Sequence, residues 1–256
     1  MISVVVPISL LVRKSLNKRI ETMKYAIENF YKDVELIVVE QSLDGEFYFL
    51  PHLKECKKIK IHYPVFNKSW CINVGVAASK HDYVAVCDCD MYSTNYEWGL
   101  LLYWMKNNRH KWAFGWNRLV YTNDEQRTNI LLGDNQPKAR YVNPVPGYSE
   151  GGIVVFEKDF FNKIGKFNEF MVELGGIDTE IIIRCRHLYN KYASYPAIVY
   201  HLWHPQVKKS SRPTRYQNIR KIRHCKNNTD MVINWLSQQY QGNLDTPLVA
   251  KKEYFL

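Results

Sequence analysis

Two β-branched runs, Ile2 to Pro7 and Val34 to Val39, flank a segment of helical apolar spacing, and this arrangement constrains the chain most. A continuous apolar run of that length suits a strand buried on both faces, as in a parallel sheet covered by helices. Between the runs, Ile20, Met23, Ile27 and Phe30 recur at helical intervals, which predicts a helix over Arg13 to Tyr31. Two strands joined by such a helix run parallel through a right-handed crossover. The chain therefore opens a doubly wound α/β sheet, whose ligands bind beyond the carboxyl ends of its strands.

The same reading continues along the chain. It predicts strands over Ile59 to Tyr63, Asp82 to Cys87, Trp112 to Asn117, Ile153 to Phe156 and Ala197 to Tyr200. Helices are expected over Ser69 to Ser79, Asn95 to Asn108 and Asp178 to Tyr189. Asn123 to Glu150, with Pro137, Pro144, Pro146 and Gly147, reads as one long loop able to act as a lid. At 256 residues a single core is the default. The six cysteines are expected to be reduced, because a core of this size needs no staples. No run of eighteen apolar residues occurs, so the expectation is a cytoplasmic chain.

The net charge of +10 is concentrated in one place. Lys208, Lys209, Arg212, Arg215, Arg220, Lys221, Arg223 and Lys226 stand between Val207 and Lys226 with no carboxylate among them. Such a run is either a solvated helix face or a surface for a polyanion. The expected division is a main domain over 1–206 and a basic, mostly helical extension over 207–256, with an amphipathic helix at Met231, Ile233 and Leu236.

Three constellations could carry chemistry. Asp88-Cys89-Asp90 follows an apolar strand, and two carboxylates there suit a divalent cation bridging a diphosphate, or else a turn with two solvated aspartates. His201 and His204 follow the last strand and can reach one metal, unless one packs in the core. Asp178, after Gly175-Gly176, starts a helix whose N-terminus favours a charged carboxylate, as either a general base or an N-cap. The pairs Gly151-Gly152 and Gly175-Gly176 allow close backbone approach by a substrate, or simply form turns.

Taken in order, the strand end at Pro7, the FNKSWCINVGVAAS segment from Phe66, Asp88-Cys-Asp90, GYSEGGIVVF from Gly147, GGIDTE from Gly175 and HLWH from His201 resemble the GT-A glycosyltransferases. The resemblance is closest to the β-1,4-galactosyltransferase-like branch and its bacterial and viral relatives within family 2, and it covers Ile2 to about Pro205. It implies a Rossmann-like, doubly wound mixed sheet and a nucleotide-sugar donor. It also implies donor contacts from Pro7, Glu40, Gln41, Phe66, Lys68, Asn73, Gly75, Asp88, Gly151 and Gly152. By the same resemblance Asp90, His201 and His204 hold Mn²⁺ (or Mg²⁺), and Asp178 is the base of an inverting transfer. Lys68 stands where the family has arginine, which keeps the charge and loses the bidentate fork. Leu174, Ile177 and Thr179 depart from the family's pattern, so its sugar and acceptor preferences do not carry over.

The expected acceptor is an anionic surface glycan of lipopolysaccharide type, with the basic run holding the protein peripherally at the inner membrane surface. The alternative is a phage-type enzyme in the host cytoplasm that glycosylates hydroxymethylated bases of duplex DNA, the basic run following the phosphates. A non-catalytic module binding a nucleotide-sugar or nucleic acid is the third reading. It leaves a base beside a metal set without a use.

Overall fold

The computed structural model describes residues 1–10, 16–134, 141–142, 151–173, 175–191, 193–205, 212–239, 241–245 and 247. The first half comprises β1 (Ser3–Ile8), α1 (Leu16–Phe30), β2 (Glu35–Ser42), β3 (Lys57–His62), α2 (Lys68–Ala77), β4 (Tyr83–Cys87), β5 (Met91–Tyr92) and α3 (Trp98–Asn107). The second comprises β6 (Trp112–Phe114), β7 (Arg118–Tyr121), α4 (Asp124–Leu131), β8 (Tyr141–Val142), β9 (Ile153–Glu157), α5 (Lys158–Lys163), α6 (Ile177–Leu188), β10 (Ile198–His201), α7 (Arg212–Asn227) and α8 (Thr229–Ser237).

The main sheet has the order β3-β2-β1-β4-β9-β6. Strands β1 to β4 are parallel and β9 runs antiparallel between β4 and β6, so the sheet is mixed. Alternation along β1 explains why it is apolar throughout. Val4, Val6 and Ile8 enter the core beneath α1 and α3, while Val5 faces the opposite core with α2 and α6. On that second face Gly75 lets α2 lie close to the sheet, since a Cβ there would fall 2.3 Å from Val5 Cγ1. From β1 the chain adds β2 and β3 on one side and then crosses through α2 to place β4 on the other, which makes the β1/β4 boundary the switch point of the sheet. Pairing of β1 with β4 stops at Val5, whereas pairing with β2 runs to Ile8, so Pro7, which has no N–H, lies beyond the last β4 rung.

A smaller sheet, β5-β10-β7-β8, stands at the carboxyl end of β4. The expected loop from Asn123 is in part α4, started by a reciprocal capping box between Asn123 and Gln126. Beyond Asp134 that expected lid, apart from β8, falls outside the described residues. Helices α7 and α8 pack on α6 through a small core of Phe170, Cys225, Val232 and Leu236. A buried junction ties distant segments together. Asn73 donates to the Phe167 carbonyl and to Glu169 Oε1 and accepts from Phe167 N–H, while Gly242 N–H donates to the same Glu169 oxygen. All six cysteines are free thiols. Among the described residues no helix is long and apolar enough to cross a membrane.

Candidate active site

The site grows out of the end of β4. After Cys87 the chain turns through Asp88, Cys89 and Asp90 and enters β5, which pairs with β10 so that His201 stands opposite Met91. Leu202 N–H donates to the Asp90 carbonyl at 2.9 Å. This pairing carries both histidines to the aspartate: Asp90 Oδ2 lies 2.8 Å from His204 Nε2 and 3.5 Å from His201 Nε2. One ligand atom from each of the three residues lies within 4.8 Å of the others. Burial disfavours the Asp90 charge, but His201 and His204 outweigh it and hold the carboxyl at about 2. For His204, burial is likewise overcome by Asp90, and its pKa is raised.

The other oxygen of this aspartate tests whether the trio suits a metal. Asp90 Oδ1 is buried and has no hydrogen-bond partner. A buried carboxylate oxygen left bare is costly, and a cation held jointly with two imidazoles removes the cost. The donor set of one carboxylate and two imidazoles fits a divalent metal ion.

Asp88 faces a different group. Lys68 opens α2, whose N-cap Asn67 accepts from Trp70 N–H. Its Nζ lies 2.8 Å from Asp88 Oδ1 and 3.4 Å from Asp178 Oδ1. Burial works against the ammonium, yet Asp178 and Asp88 prevail and raise its pKa above the ordinary lysine range. Burial also raises Asp88; Lys68 opposes this, and Asp178 and Asp90 add to it. The two helix starts meet because Glu173 N–H donates to the Phe66 carbonyl at 2.8 Å, joining the entry of α2 to the segment before α6. Phe66 itself is buried in the core.

Asp178 is the second residue of α6, and the N-cap is Gly176, in the left-handed region at φ 81°. The N-cap alternative for Asp178 is thereby set aside, and its carboxylate turns to Lys68. Gly151 closes the group. A Cβ there would lie 3.2 Å from Asp178 Oδ2 and 3.6 Å from Asp88 Oδ2. At Gly152, φ is 92°, its carbonyl accepts from Asp88 N–H at 2.8 Å, and its N–H donates to Asp88 Oδ2 at 3.3 Å.

Four expected donor contacts are otherwise engaged. Glu40 is buried and accepts the backbone N–H groups of Tyr48, Phe49 and Leu50, so it organises the loop after β2. Gln41 donates to the carbonyls of Tyr63 and Val65 and accepts from Asn67 N–H. Asn73 belongs to the Glu169 junction and Gly75 to the contact between α2 and β1. These contacts tie all four residues into the scaffold around the site.

The basic run is only partly one surface. Lys208 and Lys209 lie outside the described residues, and Arg212 begins α7. Arg215, Arg220 and Arg223 are exposed, with Tyr216 and Lys226 beside them. Lys221 turns inward and donates to the Phe170 carbonyl, and burial lowers its pKa. Asn218 on the packed face donates to the carbonyls of Val172 and Gly175, and Ile222 sits against Gly176. The cationic helix is therefore bolted to the turn that delivers Asp178.

No family model matches the chain, and no curated protein matches it. Among solved structures, the crystal structure of S. aureus TarS matches with a TM-score of 0.57 at 14% identity, over 92% of this chain and 42% of that one. The chain thus spans less than half the length of TarS, a glycosyltransferase of family 2. The match does not single out the β-1,4-galactosyltransferase-like branch. The mixed six-stranded sheet and this neighbour together give the chain a GT-A-like fold.

Proposed function

We propose that the chain is a metal-dependent inverting glycosyltransferase that moves a sugar from a nucleotide-sugar, a UDP-sugar in the first instance, to a hydroxyl of a polyanionic acceptor. One observation carries the reading: Asp90 with His201 and His204, and Lys68 with Asp88 and Asp178, converge at the carboxyl rim of the sheet beside its switch point. Asp90, His201 and His204 would hold the ion, which when bound supplies positive charge against the diphosphate. Asp178 accepts the proton of the acceptor hydroxyl. The freed oxygen pair forms the new bond to the anomeric carbon, the bond from that carbon to the diphosphate oxygen breaks, and the electrons leave with the nucleotide. Attack from the face opposite the leaving group inverts the configuration. Lys68, bound to Asp88 and Asp178 at once, fixes the base relative to the donor side.

The exposed arginines of α7 favour an anionic acceptor, and a surface glycan at a membrane face is the primary reading. Tyr216, 62% exposed among those arginines, favours a second reading in which the acceptor is a hydroxymethylated base of duplex DNA. The test measures turnover of UDP-, GDP- and TDP-sugars with and without Mn²⁺, beside duplex DNA retention at two salt concentrations. Mn²⁺-dependent turnover that Asp178→Asn abolishes is the expected result, and an Asp178→Asn variant with normal transfer refutes the base assignment. DNA retention that falls steeply with salt moves the acceptor to DNA.

A further inference from the structure

The described chain buries three arginines, and two of them are fully used. Arg127 bonds Thr22 and Glu21, and Arg184 bonds Glu180 and the carbonyls of Ile164 and Lys166. The third, Arg19, is 8% exposed, and its Nε and Nη1 are buried with no hydrogen-bond partner. A guanidinium cannot escape burial by losing its proton, so two bare nitrogens with their N–H donors in the interior call for an anion.

The position of Arg19 says where that anion sits. It lies in the first turn of α1, the helix that follows β1, and so at the carboxyl rim of the sheet. That turn holds no acidic residue, so the positive end of the helix dipole adds to the charge of Arg19 instead of opposing it. Lys18 beside it is already engaged, by Asp124 at 2.6 Å and by the face of Trp203. Trp203, whose ring centroid lies 5.4 Å from Lys18 Nζ, stands between His201 and His204, so this turn of α1 lies beside the Asp90 trio. Asp90 does not complete it, because its paired oxygen is held by the two histidines and its other oxygen is bare. Lys68, which by position would be the cation for a donor phosphate, is locked between Asp88 and Asp178.

We propose that Arg19 is the residue that binds the diphosphate of the donor, from the α1 side of the metal-ligating trio, in the place Lys68 does not fill. The inference rests on the nucleotide-sugar reading of the site. The test compares the wild type with Arg19→Met and Arg19→Lys by calorimetry, using UDP, GDP and TDP and their nucleosides with Mn²⁺, and adds melting curves without nucleotide. Arg19→Met is expected to weaken diphosphate binding about 10- to 100-fold. Nucleoside and Mn²⁺ affinities stay unchanged, and Arg19→Lys falls between. Without nucleotide, Arg19→Met melts no lower than the wild type, since no native contact is lost. Diphosphate affinity within about twofold of the wild type, or a clearly lower melting temperature of the free variant, overturns the proposal and makes Arg19 a packing residue. If the wild type binds no diphosphate at all, the glycosyltransferase reading falls, and this proposal with it.

Discussion

Glu180 and Arg184 offer a sharp test of how the helix carrying Asp178 is held. Arg184 is 0% exposed and Glu180 1%. The Arg184 Nε lies 3.1 Å from Glu180 Oε1, Nη2 bonds Oε2, and Nη1 reaches the carbonyls of Ile164 and Lys166. Every face of the guanidinium is occupied, and the pair pins α6 to the turn after α5. Replacing Glu180 by Gln keeps the shape, but its amide nitrogen meets Nη2 donor to donor, and the arginine is left charged among carbonyls. Breaking one partner of a buried pair costs about 3–5 kcal/mol. In a chain of this size that lowers the melting temperature by about 10 °C. Arg184→Met costs less, because a carboxylate can shed its charge by taking up a proton and a guanidinium cannot. The double variant Glu180→Met with Arg184→Leu returns close to the wild type, since a well-packed apolar pair replaces a buried ion pair at little net cost. Urea and thermal unfolding followed by circular dichroism measure all three. A Glu180→Gln loss under about 1 kcal/mol, or a double variant worse than both singles, refutes the reasoning.

Further outcomes are expected elsewhere. Gly75→Ala pushes a Cβ to 2.3 Å from Val5 Cγ1 and destabilises the fold by about 1–3 kcal/mol; normal stability with weakened nucleotide binding would refute this packing role. His204→Ala is expected to abolish Mn²⁺-induced thermal stabilisation while the free protein still folds; retained stabilisation would place the ion elsewhere. Asp90, held at about 2 in the folded chain, contributes stability that is full above roughly pH 4 and is lost as the pH falls through 2. That contribution, about 2 kcal/mol, separates the acid unfolding curves of wild type and Asp90→Asn in metal-free buffer. Parallel curves would contradict it.

Where the sequence could be read and where it could not follows from what each signal reports. β-branched runs report burial on both faces, so the strands around β1 and β4 and the helices between them were legible to within a few residues. The trio at Asp90, His201 and His204 was legible through motif order, because few arrangements of a sheet bring a strand end and an HxxH-like step together. Glu40 and Gln41 show where the pattern stops short, for a physical reason. A polar residue at a strand end serves either the cleft or its own loop, and the choice depends on the turn that follows, which is not patterned. The α4 helix did have a signal, Asn123 with Gln126 three residues on, hidden in a stretch dominated by prolines. Lys221 looks like its neighbours in composition, and only its place on the Asn218, Ile222 and Cys225 side of α7 turns it inward. Arg19 had no signal at all, since a bare buried guanidinium is visible only once its surroundings are known.

The junction at Glu169 also governs the order in which the chain can become itself. Strands β1, β2 and β3 are neighbours in sequence and in space, and can pair while the remainder is still being synthesised. The Asn73 amide, by contrast, waits for Phe167 and Glu169, the Glu169 carboxylate for Gly242, and Trp70 Nε1 for the carbonyl of Asn243. The α2 side of the sheet is thus sealed by a segment that emerges 173 positions after Trp70. A nascent chain halted before Gly242 holds its strands but presents an unsealed seam along α2, a surface for chaperones and for other unfinished copies.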